Sequence, residues 1–287
     1  MRVLITGSRG QIGSALKKNV PENWEIIATD HNVLDITDVN AVESVVASFQ
    51  PDAIINTAGF TNVETAELPE NLDRVFDVNA TGPMNLAKVC RAQGARLVHM
   101  STDYVFYGQN SGKYSEVDPP CSVNVYGRSK IAGELLALAN NPNTLIVRTS
   151  HLFGEGPRNF TRRLIERARS GEELVMDNRG RFNPTYVNDL ANKLIDIVQS
   201  YPQAKGILHC AGPDSVNALD YANQILELAG MGDVEIKVGK EPNLKAPRPV
   251  NSALDTSLLN EMGIVFVPLK DSLQTCVRNI IAEADDK

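Results

Sequence analysis

A chain of 287 residues suffices for one large domain or two unequal ones. Hydrophobic residues make up 43% and charged residues 22%, the balance of an ordinary globular protein. A formal net charge of −7, with no run of Lys and Arg, excludes a basic surface for nucleic acid. The densest basic group is Arg162, Arg163, Arg167 and Arg169. Glu166 interleaves with it and Glu172 and Glu173 follow it, the pattern of a solvated helix face. The first apolar run, Val3-Leu4-Ile5, is far too short for a signal peptide or a membrane span. The chain therefore reads as a cytoplasmic protein without a membrane partner. Cys90, Cys121, Cys210 and Cys276 are scattered and lack C-x-x-C spacing, so they read as reduced, mostly buried thiols. No metal site is expected.

In chain order, short β-branched runs alternate with segments of helical period. Arg2–Ile5, Glu25–Ala28, Ala53–Asn56, Arg96–Met100 and Thr144–Val147 read as buried strands. Gln11–Asn19, Val39–Phe49, Asp73–Gln93 and Tyr126–Ala139 carry apolar residues at i and i+3 or i+4 and read as helices. Such alternation predicts a doubly wound parallel sheet, an α/β fold. The pattern is tight over residues 1–150 and looser over 151–287, where Gly212-Pro213 and Ala246-Pro247-Arg248-Pro249 interrupt it. The expectation is a dinucleotide-binding part, then a smaller, irregular region for substrate. Residues 185–210, a helix–strand pair, are expected to return to the main sheet.

The first strand runs into Gly7-Ser8-Arg9-Gly10-Gln11-Ile12-Gly13 and then a helix. In this G-x-x-G-x-x-G loop, Gly7 permits a tight turn. Gly10 lets backbone N–H groups approach a pyrophosphate, and Gly13 lets the helix pack on the strand. The helix N-terminus adds partial positive charge toward the anion. Placed between a strand and a helix, the loop marks a Rossmann-type dinucleotide site. Asp30 ends the second strand, 17 residues after Gly13. A carboxylate there can accept from ribose hydroxyls and repel a 2′-phosphate, favouring NADH. Arg9 and His31 can both meet a phosphate and pull toward NADPH. The competing reading of Asp30 is a turn residue after a strand. Asp35-Ile36 can place a carboxylate and a backbone amide at the adenine edge.

Tyr126-Gly127-Arg128-Ser129-Lys130 is Y-x-x-x-K on an expected helix, so both side chains share one face. An ammonium beside a phenol favours the phenolate and is expected to lower the pKa of Tyr126, making proton exchange feasible near neutral pH. Lys130 can also hold a nicotinamide ribose. Ser101-Thr102-Asp103 falls at the carboxyl end of the fourth strand, where open parallel sheets bind ligands. A hydroxyl there can hydrogen-bond a reacting carbonyl.

Together these features resemble the extended short-chain dehydrogenases/reductases. Further stretches resemble the dTDP-4-dehydrorhamnose reductase family within it. They include Gly10-Gln11-Ile12-Gly13, Leu34-Asp35-Ile36-Thr37-Asp38, Asn56-Thr57-Ala58-Gly59-Phe60-Thr61 and Ser101-Thr102-Asp103-Tyr104-Val105-Phe106. Asn124-Val125-Tyr126-Gly127, Arg148-Thr149-Ser150 and Arg248-Pro249 belong to the same pattern, which spans essentially the whole chain. The resemblance implies Thr102, Tyr126 and Lys130 as the catalytic set. It implies Gly7, Gly10, Gln11, Ile12, Asp30, Asp35, Ile36, Thr57, Ala58, Gly59, Tyr126 and Lys130 around NADPH or NADH, with Arg9 and His31 beside them. Thr102, Asp103, Tyr104, His151, Asn159, Arg181 and Arg248 would meet a nucleotide-linked sugar, and the family pattern is compatible with a homodimer.

The implied reaction is NAD(P)H-dependent reduction of the 4-keto group of a nucleotide-linked 6-deoxyhexose. A sugar-nucleotide 4-epimerase, and a non-catalytic regulatory subunit similar to that of methionine adenosyltransferase, are the competing readings. A 4,6-dehydratase is disfavoured because Tyr104 follows Asp103 where a second carboxylate would be needed. Departures from the family pattern cluster near the substrate: His151 replaces a Trp, Phe60 a Tyr or His, and Tyr107 an Asp. Arg179-Gly180-Arg181-Phe182-Asn183-Pro184-Thr185 replaces a D-Q-x-G-x-P-T segment. Arg179 and Arg181 can bind a pyrophosphate or form a solvated hairpin. His151 is expected to contact a polar sugar substituent or else to be a buried neutral imidazole.

Overall fold

The structure, a computed structural model, describes residues 1–156, 159–239 and 245–285. The first half runs β1 (Arg2–Thr6), α1 (Gln11–Asn19), β2 (Glu25–Thr29), α2 (Val39–Phe49), β3 (Ala53–Asn56), α3 (Val63–Ala66), α4 (Leu72–Phe76), α5 (Gly82–Gln93), β4 (Arg96–Thr102), α6 (Val125–Asn140) and β5 (Leu145–Thr149). The second half runs β6 (Leu152–Phe153), α7 (Phe160–Arg169), β7 (Leu174–Met176), β8 (Thr185–Tyr186), α8 (Val187–Ser200), β9 (Gly206–His209), α9 (Ala218–Leu228), β10 (Ile236–Val238), α10 (Ser257–Glu261) and α11 (Leu269–Asp285).

Six parallel strands form one sheet in the order β2-β1-β3-β4-β5-β9. In a parallel sheet covered on both faces, strands need no polar side, which explains the unbroken apolar runs Val3-Leu4-Ile5 and Ile54-Ile55. On one face, α1 and α8 bury Ile12, Leu16, Leu190 and Leu194 against Val3, Ile5 and Val98. On the other, α2, α5 and α6 lay Val42, Leu86 and Ala137 over Leu4, Ile54 and Leu97. A third apolar cluster holds α7, α9 and α11 together through Leu164, Ile225 and Leu273. The short pairs β6–β8 and β7–β10 lie in this second half. The doubly wound sheet expected from the strand–helix alternation is present.

The strand order changes direction at β1 and β3. Loops leaving these strands diverge there, opening a crevice at their carboxyl ends. The one long helix expected over Asp73–Gln93 is α4, a π turn over Asp77–Thr81, and then α5. Asn79 on that turn binds both backbone groups of Phe60, at 2.8 and 3.0 Å, and donates to Ser129 Oγ at 2.9 Å. α6 seats directly on the turn, because a Cβ at Gly133 would come within 2.1 Å of the Asn79 carbonyl oxygen. The local widening thus follows from long-range contacts that helical periodicity cannot report.

α6 is fixed to the sheet by charge as well. Glu134 accepts from Arg148 Nε at 3.0 Å, from Arg148 Nη2 at 2.7 Å and from Ser101 Oγ at 2.5 Å. Both charged side chains are buried, and the guanidinium lies 5.1 Å from the centre of the Phe106 ring. Removing one partner of a buried, hydrogen-bonded pair strands the other charge. Glu134→Ala should therefore destabilise the protein by about 3–5 kcal/mol in equilibrium denaturation. The double change Glu134→Leu with Arg148→Met should be far less damaging than either single change. Equal losses for single and double variants would mean that the pair does not hold α6.

Candidate functional site

A cleft of about 530 Å3 opens along the carboxyl ends of β1 to β5. This volume is within the range of small-molecule and cofactor sites. One end is the loop after β1. Gly7 has φ 70°, and a Cβ there would lie 2.5 Å from the backbone nitrogen of Ala58, so the first and third strand-end loops pack in contact. Gly10 is the N-cap of α1 and has no side chain to cap it. The first-turn N–H groups are therefore free for an external anion. Gly7, Arg9, Gly10, Gln11 and Ile12 line the cleft here, with Thr57, Ala58 and Gly59 opposite. These backbone approaches suit a pyrophosphate-bridged dinucleotide.

Asp30 ends β2, and its carboxylate meets Arg9 Nε at 2.5 Å and the Asn32 N–H at 2.9 Å. Burial would raise its pKa, but the Asn32 amide and Arg9 outweigh that and hold the carboxyl below its usual range. His31 and Asp35 are exposed along the rim and Ile36 is buried beneath it. Asp35 accepts from Thr37 Oγ1 at 2.8 Å and so shapes its own loop.

The other end of the cleft is built by β4 and α6. Asn124 caps α6 by accepting from Gly127 N at 2.8 Å, and Glu67 takes the Val125 N–H at 2.7 Å. One turn separates Tyr126 from Lys130, and both line the cleft with Thr102. The expected lowering of the Tyr126 pKa by Lys130 does not occur. Burial pushes the phenol up to about 12, against the opposing effect of Thr102. Burial also pushes Lys130 down to about 8. The amine is turned away: it donates to the Met100 carbonyl at 2.7 Å and lies 3.4 Å from His99 Nε2.

A buried chain of polar groups explains this posture. Ala58 N–H donates to Asn56 Oδ1 at 3.1 Å, so the amide nitrogen of Asn56 must face His99 Nδ1, at 2.9 Å. Nδ1 therefore accepts, and the proton of the neutral ring sits on Nε2, facing Lys130. An ammonium cannot accept that proton, whereas a neutral amine can. Burial and the neighbouring Lys130 hold His99 itself well below the usual histidine range.

Asp103 follows Thr102 and is buried. Its carboxylate accepts from Thr102 Oγ1 at 3.1 Å, Ser150 Oγ at 2.8 Å and Ser252 Oγ at 2.5 Å. Burial pushes it up to about 6, against those three hydroxyls. Tyr104 makes an edge contact with Tyr126, with ring centres 6.0 Å apart. The Arg248 guanidinium lies 5.9 Å from the centre of the Tyr104 ring and donates to Glu64 at 2.6 Å. Glu64 also takes the Lys245 and Ala246 N–H groups, fastening this segment beside the cleft.

His151 lines the cleft with φ 33°, in the left-handed region that strains a non-glycine residue. Its ring stacks on Phe182 at 4.3 Å and meets Phe160 and Tyr221 edge-on. Burial, aided by Arg163, pushes it down to about 4, so it is neutral at physiological pH. Nε2 is buried without a hydrogen-bond partner.

Two expected sugar contacts lie elsewhere. Asn159 caps α7, accepting from Arg162 N and donating to the Gly154 and Gly156 carbonyls. Arg181 donates to the backbone oxygen and hydroxyl of Ser215. Neither lines the cleft. Arg179 is exposed and paired with Asp177, as a solvated hairpin would have it.

Residues the sequence did not single out hold the site together: Asn79, His99, Glu134 and Glu64. Only Glu134 left a local signal, since it continues the i, i+4 series of Tyr126 and Lys130. Among the described residues no group of three or more His, Cys, Asp or Glu is placed to hold a metal ion. No helix among them is long and apolar enough to cross a membrane.

Comparison with known proteins extends these observations. Residues 1–281 match the family model described as the RmlD substrate binding domain. A dTDP-4-dehydrorhamnose reductase from Aggregatibacter actinomycetemcomitans is 36% identical over 300 aligned positions, covering 99% of this chain and 99% of the relative. A probable dTDP-4,6-dihydroxy-2-methyloxan-3-one 4-ketoreductase from Streptomyces antibioticus is 37% identical, covering 94% of this chain and 92% of the relative. The crystal structure of dTDP-4-dehydrorhamnose reductase from Bacillus anthracis in complex with NADP superposes with a TM-score of 0.89 at 32% identity, covering 98% of this chain and 99% of the other.

The neutral burial of His151 has a consequence for stability. Its folded pKa of about 4 lies below the ordinary histidine value of 6.5, so between these values the unfolded chain binds the extra proton. His151 therefore supports the fold fully above about pH 6.5 and progressively less as pH falls toward 4. In urea denaturation at pH 7 and pH 5, His151→Phe should lose less stability on acidification than the wild type. An equal loss in both would place the His151 ring in water.

Proposed function

The chain belongs to the RmlD substrate binding domain family, and on that premise we propose that it reduces the 4-keto group of a nucleotide-linked 6-deoxyhexose with NADPH or NADH, dTDP-4-dehydrorhamnose being the substrate. The observation that carries this reading is a single cleft with an uncapped glycine loop at one end and Tyr126 with Thr102 at the other. The cofactor, when bound, supplies the hydride that reaches C4 of the sugar. Everything else is done by residues of the chain.

Gly7, Gly10, Gln11 and Ile12 offer backbone groups to the pyrophosphate. Asp30 accepts from the adenosine ribose, and Arg9, already beside it, can turn to a 2′-phosphate. That pairing accommodates either cofactor. Thr57, Ala58 and Gly59 line the path toward the nicotinamide. Lys130 holds the nicotinamide ribose after leaving the Met100 carbonyl. Residues 1–150 thus carry the dinucleotide. The sugar nucleotide lies against residues 151–287, apart from 185–210, which hold α8 and β9 against the main sheet.

Tyr126 is the proton donor to the oxygen at C4. A phenol raised to about 12 is fully protonated at neutral pH, the state that reduction of a carbonyl requires. Thr102 lines the cleft together with Tyr126. In the free protein its hydroxyl hydrogen-bonds Asp103 Oδ1 at 3.1 Å. His151 Nε2 has no protein partner, and a polar substituent of the sugar can satisfy it. Arg248, stacked over Tyr104, lies beside the path of the nucleotide phosphates.

Purified protein mixed with dTDP-4-dehydrorhamnose should oxidise NADPH stoichiometrically, read at 340 nm. Tyr126→Phe should lower kcat by roughly 10²- to 10⁴-fold with NADPH affinity unchanged. No NADPH oxidation by the wild type, or an NADPH affinity that collapses with Tyr126→Phe, would contradict the assignment.

A further inference from the structure

His99 on β4 is fully buried, with Asn56 at one ring nitrogen and Lys130 at the other. Asn56 is itself fixed in orientation. Its Oδ1 accepts from the Ala58 N–H at 3.1 Å and from Thr6 Oγ1 at 2.6 Å, so its NH2 group is what meets His99 Nδ1 at 2.9 Å. An amide NH2 only donates. Nδ1 is therefore the acceptor, and the neutral ring carries its proton on Nε2, 3.4 Å from Lys130 Nζ. Burial, then the neighbouring Lys130, keeps the ring neutral by holding it well below the usual histidine range.

The hydrogen-bond inventory of Lys130 follows from that tautomer. Nζ donates to the Met100 carbonyl at 2.7 Å. An ammonium has three N–H donors and no lone pair, whereas a neutral amine has two donors and one lone pair. Only the amine can accept from the His99 Nε2–H. An ammonium there would set its charge against the positive end of an N–H dipole. Glu134, one turn further along α6, favours the charged form, but Arg148 from β5 already holds that carboxylate at both oxygens. Tyr126, one turn back, is a neutral phenol, pushed up to about 12 by burial. Asp103, after β4, has both oxygens engaged by Thr102, Ser150 and Ser252. Lys130 is 5% exposed, and burial pushes it down to about 8.

We propose that His99 is a positioning residue that holds Lys130 as a neutral amine at the Met100 carbonyl in the free protein, so that the amine gains one proton from solvent when it turns to the cofactor. The added proton converts the lone pair that His99 occupied into a donor for the ribose hydroxyls. The proposal rests on the cofactor reading of the cleft and deepens it.

Proton uptake on NADPH binding tests it. At pH 9, calorimetry in buffers of different ionisation enthalpy should show about one proton taken up per NADPH bound, and only a small fraction of that at pH 7. The Kd for NADPH should rise roughly tenfold from pH 7 to pH 9, because the amine must first be charged. Lys130→Met should bind NADPH without this uptake. No uptake by the wild type at pH 9, or the same uptake by Lys130→Met, would overturn the proposal.

The role of His99 is read in the free protein, with no cofactor or substrate. The 13Cε resonance of Lys130 should titrate near pH 8 in the wild type. His99→Leu removes the N–H and should move that midpoint upward. His99→Gln, whose amide offers an acceptor and a donor at similar spacing, should leave it in place. A wild-type midpoint near 10.5, or one that His99→Leu does not move, would overturn the proposal. If His99→Leu fails to fold, the ring 15N shifts of His99 in the wild type decide: a proton on Nε2 supports the assignment, and a proton on Nδ1 or a charged ring at pH 7 would overturn it. A wild type that fails to bind NADPH would instead overturn the cofactor reading, and these free-protein spectra would still decide the state of Lys130.

Discussion

The buried pair of Glu134 with Arg148 is the constraint on which the site depends. Tyr126, Lys130 and Glu134 stand at successive turns of α6, so they share one face. Glu134 is held bidentately by a guanidinium from β5 and by a hydroxyl from β4. Ser101 immediately precedes Thr102, so the same contact that fixes the helix also fixes the strand residue facing its phenol. Desolvating two charges is expensive, and an apolar pair could pack α6 as tightly. What an apolar pair lacks is direction: it would let the helix slide or rotate, whereas a forked hydrogen bond does not.

The two ends of the cleft are built differently. The cofactor end is assembled from strand-end loops near in sequence to the strands that carry them: Gly7 after β1, Asp30 after β2, Thr57 after β3. The sugar end depends on contacts across the chain. Glu64 holds Arg248 across 184 residues, and Ser252 reaches Asp103 across 149. Variation in the second half can therefore alter the sugar end while the dinucleotide end keeps its form. His151 sits at that junction, strained in its backbone and packed among aromatic rings.

This difference also sets how much the sequence reveals. Strand–helix alternation and the glycine loop locate the sheet and the dinucleotide end because their signals are local. Tyr126, Lys130 and Thr102 are legible from spacing and from their place at a strand end. The direction of Lys130 is not, since Asn56, His99 and Met100 decide it from other strands. Burial, which no motif records, reverses the expected effect on Tyr126. Asn159 within the family pattern and Arg181 within a departure from it read as substrate contacts, yet their own neighbours, a helix N-terminus and Ser215, take hydrogen bonds from or to them. The π turn at Asp77–Thr81 likewise answers to Gly133 and Phe60.

The central claim is that this cleft brings a reduced nicotinamide and a 4-keto sugar together for direct transfer, with the chain supplying only position and a proton. NADPH deuterated at C4 of the nicotinamide, incubated with dTDP-4-dehydrorhamnose and the protein, tests that claim most directly by NMR of the product. The account predicts deuterium at C4 of the sugar and an equal amount of NADP+ released. A product without deuterium at C4, or a sugar inverted with no net oxidation of the added cofactor, would contradict it.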